Sequence, residues 1–583
     1  MRSRRFAVPL VAAVLMTGLL TAAPANSAPY GHTTRTYIVK TKHGGIYVEV
    51  EHATRNNKIV KAPVVLTYSP YSILGRNGDA ATWNSRGYHR AYADVVGTGN
   101  SGGCYDYGGK REKETGHAIV EWFAKQKWST KKLGMIGGSY EGTTATATAV
   151  THPPHLTTIV PEAAISRWYG YAYSGGIRYF LNNERPADEG IDTPLAFDFG
   201  LALPPPLDVN EPTWAERVAS TVAPCEELQH TQKGYDDTPD YDKFWLERDY
   251  LKDADTIRIP VLVAHNWGDW NVKQEEGWNL FNALKNSRNR MMVFGTRYSG
   301  HGTPSGPYDA IVLKWMDHYL KGVNNGVQDL PSVISQTSAY GGPGKFMRGR
   351  PKTKPLTLVA QQGTQTATLG YKWQLLPRRP RLIGPPESAF FQSANINTES
   401  HANHHARSNH DWFWFESPIL KRNLRIFGRI KVRIYSTVHR RWITFTPTIV
   451  DVKPSCHDAV ANQHYTQPDC PPRSLYSVTR GWLDSRYRNG LAKQAPALKP
   501  GKKSLITVVE KPTDYVFKKG HYIGLNIQTE INEWSVPKPY PNCDTPDCVN
   551  VTINWKEGKT KVILPAVNLP RNIVSLFQFH HHH

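Results

Sequence analysis

Past its first two dozen residues the chain contains no apolar run approaching the roughly 20 residues that a membrane-crossing helix needs, so no span is expected in its body. Acid is in short supply: 49 acidic residues face 70 lysines and arginines, for a formal net charge of +21. Such an excess suits nucleic acid or an anionic wall polymer, but the cations are scattered and no nucleic-acid motif accompanies them. Solubility with loose adhesion to anionic polymers is the preferred reading, and nucleic acid is not expected as a partner. Cysteine is scarce as well, with six in 583 residues (104, 225, 456, 470, 543 and 548). In an exported chain these imply disulfides rather than a metal site. The short spacings pair Cys543 with Cys548 and Cys456 with Cys470, which leaves Cys104 with Cys225.

What is present begins with a leader. Arg2, Arg4 and Arg5 precede an apolar run from Phe6 to about Ala23, and small residues at Ala25-Asn-Ser-Ala28 invite cleavage. Residues 1–28 therefore read as an export signal, and the expected location is extracellular. Its loss lowers the net charge by three, from +21 to +18. His580 to His583 look like the remnant of a purification tag. Charged residues at 20% and aromatics at 11% describe a globular chain long enough for several domains.

The stretch Leu133-Gly-Met-Ile-Gly-Gly-Ser-Tyr-Glu-Gly-Thr-Thr-Ala-Thr-Ala-Thr-Ala149 reads as strand, sharp turn and helix. Small residues let the helix pack close to a sheet, and the turn presents Ser139 as in a nucleophile elbow. One departure stands out: glycine falls at 142, and Glu141 occupies the place two after the serine. On either side, Pro63 to Tyr68, Ala91 to Val96, Ile159 to Ala163, Ile257 to His265 and Met291 to Phe294 are apolar strand runs. Thr115 to Trp128, Gln274 to Lys285 and Ile311 to Leu320 have helical spacing. Strands alternating with helices predict fold class α/β, a mostly parallel sheet covered on both faces. The assigned pieces are an α/β-hydrolase core at 29–174 and 255–328, a helical cap inserted at 175–254, and an all-β sandwich at 329–579.

Two later loops hold the residues that a serine nucleophile requires. The strand ending at His265 is followed by Asp269, and the strand ending at Phe294 by His301. Asp269 would orient the His301 imidazole, which takes the proton from Ser139 and returns it to the leaving group. The Tyr140 N–H and the Tyr71 hydroxyl are the expected donors to the tetrahedral oxyanion.

The elbow (137–142), Ala164-Ile-Ser-Arg-Trp-Tyr169, Gly268-Asp-Trp-Asn-Val-Lys273 and Ser69-Pro-Tyr71 together resemble the X-Pro dipeptidyl-peptidase family of serine peptidases. That family is related to cocaine-esterase-like hydrolases and α-amino-acid ester hydrolases. Phe415-Glu-Ser-Pro418 and Phe445-Thr-Pro-Thr-Ile-Val-Asp451 resemble the jelly-roll domain shared by these relatives. The resemblance implies release of N-terminal Xaa-Pro dipeptides by Ser139, Asp269 and His301, with Tyr71 at the oxyanion and Trp168, Tyr169 and Asn271 at a proline pocket. It implies a peptide or small ester substrate and no cofactor or metal. Glu141 stands where the family pattern leads one to expect an apolar residue. A substrate amine would want a carboxylate, for which Glu184, Asp188, Glu189 and Glu141 all stay open. His401, His404, His405 and His410 lie in a polar loop without the acids that usually support a metal site. An esterase or acylase on the same triad, a non-catalytic wall-binding protein, and a homodimer also remain open.

Overall fold

The computed structural model describes residues 29–71, 78–179, 225, 239–359, 412–454, 474–528, 535–536, 551–553 and 558–578. The leader, residues 180–224 of the cap, the His401–His410 group, Cys456, Cys470, Cys543, Cys548 and the terminal histidines lie outside them.

β1 (Gly31–Thr41) and β2 (Gly44–Arg55) form an antiparallel hairpin closed by Thr41 opposite Gly44. Then come β3 (Ala62–Ser69), β4 (His89–Asp94), β5 (Ser129–Gly138), β6 (Leu156–Glu162), β7 (Val261–Asn266) and β8 (Arg290–Gly295). They assemble in the order β1-β2-β4-β3-β5-β6-β7-β8, parallel from β4 onward. β3, β4 and β7 are buried along their whole length, as strands covered on both faces must be. Alternate residues feed two cores: Val64, Leu133, Met135 and Val263 enter one, and Val65, Ile136 and Leu262 the other. Helices α1 (Lys110–Ala124), α2 (Tyr140–Ala149), α3 (Trp168–Ala172) and α4 (Glu275–Ala283) are shared with the first core, while α5 (Tyr308–Lys321) gives Trp315 and Met316 to the second.

Strand pairing continues across the division drawn at 328. β9 (Val333–Ala339) runs parallel to β8, with Val333 opposite Met292, and β10 (Gly342–Arg348) turns back against it. Both extend the hydrolase sheet. β9 also pairs with β17 (Thr513–Phe517) of the second domain, Ser338 opposite Tyr515, so one sheet runs from domain to domain. In that domain β12 (Leu424–Gly428) and β17 (Thr513–Phe517) are antiparallel partners, as are β13 (Lys431–Val438) and β16 (Lys502–Val509). A further sheet joins β14 (Thr444–Lys453), β15 (Ser474–Arg480) and β18 (Tyr522–Gln528). Ile434, Val508, Ile449 and Leu525 pack into a common core, which gives the expected β-rich C-terminal domain; β11 (Thr353–Val359) belongs to the same half.

Residues 239–254 pack onto the hydrolase core, where Trp245 and Tyr250 are each 1% exposed and Arg248 pairs with Asp106 at 3.1 Å. The Cys104–Cys225 disulfide forms as expected from elimination, with Cα atoms 5.4 Å apart.

Candidate active site

β5 ends at Gly138 and α2 begins at Tyr140, so Ser139 alone makes the turn between them. Its φ of 58° and ψ of −125° are conformations that a non-glycine residue keeps only when its surroundings enforce them, at a cost on the order of 1–3 kcal/mol. The enforcement is visible. Ser139 N–H donates to Glu162 O at 2.8 Å, which ties the turn to β6. A Cβ on Gly142 would come within 2.7 Å of Gly137 O and 2.8 Å of Glu162 N. The close backbone approach is therefore at 142, which is why glycine sits there, while Glu141 tucks its side chain against Gly137.

Tyr71 follows the end of β3. Its phenol donates to Ser139 Oγ at 3.1 Å and accepts from Tyr140 N–H at 3.3 Å. The hydroxyl, the seryl oxygen and the first amide of α2 thus converge on one point. Burial pushes the Tyr71 phenol up, against the opposing bonds from Ser139 and Tyr140, so it stays protonated and able to donate at neutral pH.

Asp269, fully buried after β7, accepts from Asn271 N–H at 3.1 Å and Val272 N–H at 3.0 Å, and from His301 Nδ1 at 2.8 Å. Burial alone would raise its carboxyl, but the bonds from His265 and His301, with their charge, hold it below the ordinary carboxylate value. His301 shifts the opposite way: burial would lower it, and the Asp269 bond and charge raise it. With Nδ1 held by the carboxylate, Nε2 is the nitrogen left to act as base.

The structure thus joins Asp269 to His301, and Ser139 to Tyr71 and Tyr140, as two groups. Among the described residues no hydrogen bond spans them. The His301 side chain is 28% exposed and stands between Gly300 and Gly302, both with open space around them.

Several contributors were not legible in the sequence. His265 Nε2 lies 3.3 Å from the Asp269 oxygen that His301 uses and 2.8 Å from Val272 O, bracing the acid loop from beneath. Glu112 accepts from the Tyr140 hydroxyl at 2.9 Å and from Gly108 N–H at 2.9 Å, and Tyr105 donates to the same Tyr140 hydroxyl at 2.8 Å. Glu162 accepts from the Tyr308 hydroxyl behind the turn.

Trp168 and Tyr169 are the residues expected at a proline pocket. Both are buried to 1% exposure or less. Trp168 donates to Tyr250 at 2.9 Å and packs 5.0 Å from the Tyr140 ring, and Tyr169 donates to Pro239 O at 2.6 Å. Their rings pack in the core behind the elbow. Asn271 is half-buried, with Tyr171 donating to its side chain at 3.5 Å. Glu141 is buried, its carboxyl pushed up to about 7 by burial, beneath the elbow. Glu184, Asp188 and Glu189 fall outside the described residues.

Comparison with known proteins gives matches over both halves. Residues 45–299 match the model of the X-Pro dipeptidyl-peptidase (S15) family, and residues 325–563 that of the X-Pro dipeptidyl-peptidase C-terminal non-catalytic domain. A Bacillus cereus protein carrying the provisional name Xaa-Pro dipeptidyl-peptidase is 27% identical over 483 residues, 78% of this chain and 73% of the relative. An aminopeptidase structure from a marine sediment thaumarchaeote aligns with a TM-score of 0.65 at 17% identity, over 94% of this chain and 99% of that one. An α-amino acid ester hydrolase aligns with a TM-score of 0.63 at 18% identity, over 95% and 100%. These two likenesses speak to the fold, an α/β-hydrolase followed by a β-rich domain.

Proposed function

The chain belongs to the X-Pro dipeptidyl-peptidase family and is a serine hydrolase, and from that premise we propose that it releases Xaa-Pro dipeptides from peptide N-termini through an acyl-enzyme on Ser139. His301 Nε2 takes the seryl proton as Oγ attacks the carbonyl of the penultimate proline. Asp269 stabilises the imidazolium that results. The negative oxygen of the tetrahedral intermediate is received by the Tyr140 N–H and the Tyr71 hydroxyl. His301 then gives its proton to the leaving amine, and water enters by the same route to release the dipeptide. The observation that carries this reading is the double engagement of Tyr71, bonded at once to Ser139 Oγ and Tyr140 N–H. A donor so placed is typically worth a factor of about 10²–10³ in turnover.

A fluorophosphonate probe followed by peptide mapping should label Ser139. Turnover of an Ala-Pro anilide should exceed that of the N-blocked anilide and of a simple aryl ester. Preference for the ester, or indifference to the blocked amine, would replace the peptidase with an esterase or acylase on the same residues. Export of the chain belongs to the same proposal, and N-terminal sequencing of protein recovered from culture medium should begin after residue 27 or 28.

A further inference from the structure

The catalytic residues occupy the C-terminal ends of the parallel strands, and the opposite ends carry a different feature. A cleft of about 410 Å³ is lined there by Lys61, Lys125, Lys127, Lys131 and His155, with Glu121 as its acid. Lys61 directly precedes β3, Lys131 lies near the start of β5, and His155 directly precedes β6. Lys58 and Lys132 adjoin these in sequence, and all six lysines are exposed. Among the described residues none of the six has an ion-pair partner. Glu121 is already engaged, accepting from His155 N–H at 3.2 Å and bonded to His155 Nδ1 at 2.8 Å. The neighbouring cleft along α1 is different: there Glu114 holds Lys42 at 2.9 Å and His43 at 2.6 Å. Uncompensated charge is therefore concentrated in the first cleft.

We propose that this lysine-lined cleft docks a phosphodiester-linked polyol polymer of a cell envelope, tethering the enzyme with its catalytic face turned away. Four long, unfixed ammonium groups around an open cleft suit repeating charges along a chain better than one phosphate, which favours converging backbone donors. The leader-like N-terminus favours an envelope polymer over intracellular nucleic acid. Lys131 and Ser139 lie eight residue steps apart along β5 and its end, about 25 Å at the usual rise. A polymer seated in the cleft therefore leaves the active site open to peptides.

The test uses the full chain and poly(glycerol phosphate) immobilised on beads. Changing Lys61, Lys125, Lys127 and Lys131 to glutamine should weaken retention at least about tenfold and lower the salt slope of log Kd by about 3. A control with the same charge change at exposed Lys345, Lys352, Lys354 and Lys502 should retain nearly wild-type binding. Peptide turnover should be the same in all three proteins. Equal loss in both variants would mean that net charge, not the cleft, does the binding. Glycerol phosphate monomer competing at equal phosphate concentration would mean a single-phosphate site. Single-stranded RNA bound as tightly as the polymer would mean a different partner. Any of these three outcomes overturns the proposal.

Discussion

Glu141 and Glu162 stand beneath the nucleophile turn, and burial pushes each carboxyl up to about 7. An unfolded glutamate gives up its proton near 4.5, so between that value and about 7 the folded chain binds more protons than the unfolded one. Stability must then fall as pH rises through this window. For one carboxyl the displacement is worth about 3 kcal/mol. Glu141→Gln, which keeps the shape and removes the charge, should shrink the drop in urea midpoint between pH 5 and pH 8; an undiminished drop would remove Glu141 from the account. His301 sets activity by the opposite logic. It must be neutral to act as base, and its pKa is raised above 6.5, so kcat/KM should fall as pH drops through a value above 6.5. Asp269→Asn should move that limb to lower pH and reduce kcat by about 10⁴, both read from one pH–rate profile. At this scale Ser139, Asp269, His301 and Tyr71 could be picked out because each follows an apolar strand run that ends in plain view. Glu112 and His265 could not, since their meaning lies in partners that only folding brings near.

The turn and helix that carry the nucleophile are shaped by close approaches at glycines. Gly116 of α1 lies against Thr148 of α2, and Gly142 lies against Gly137 O and Glu162 N. These approaches explain why α2 is built of small residues, including threonine and glycine, which favour a helix less than its alanines do. Gly142→Ala should cost about 1–3 kcal/mol as an overpacking change. Because the displaced atoms belong to the turn itself, kcat should fall further than the loss of folded protein accounts for. Titrating active sites with the fluorophosphonate separates the two; a variant with full turnover per folded molecule would show that the approach matters only for stability. The periodicities locating β3 to β8 and the main helices were legible for a related reason: buried parallel strands are apolar throughout and covering helices are striped. β9 and β10 were not, because short β-rich runs look alike whether they extend one sheet or begin another.

Across the whole molecule the two domains are joined by buried polar chains as well as by the shared sheet. Trp267, two residues before Asp269, donates to Ser335 Oγ at 3.0 Å; Ser335 donates to Asp514 at 2.6 Å, and Arg425 grips Asp514 through two bonds of 2.7 Å. Glu275, at the head of the helix after the acid loop, is held by Lys511 and Arg429 from the β-rich domain. The C-terminal domain is thus wired to the loop that supports Asp269, a dependence that composition and periodicity could not reveal because both partners look like ordinary charged residues of separate domains. Asp514→Ala leaves the Arg425 guanidinium without its carboxylate and should destabilise the fold by about 3–5 kcal/mol. It should also lower kcat, since Trp267 loses the Ser335 hydroxyl's fixed orientation. Removing both charges, with Asp514→Leu and Arg425→Leu together, should return much of the stability, because an apolar pair of similar volume replaces an ion pair at little net cost. If urea unfolding at pH 7 found the double variant as unstable as the single one, the loss would come from packing at the junction, and the ion pair would have no special part in holding the domains together.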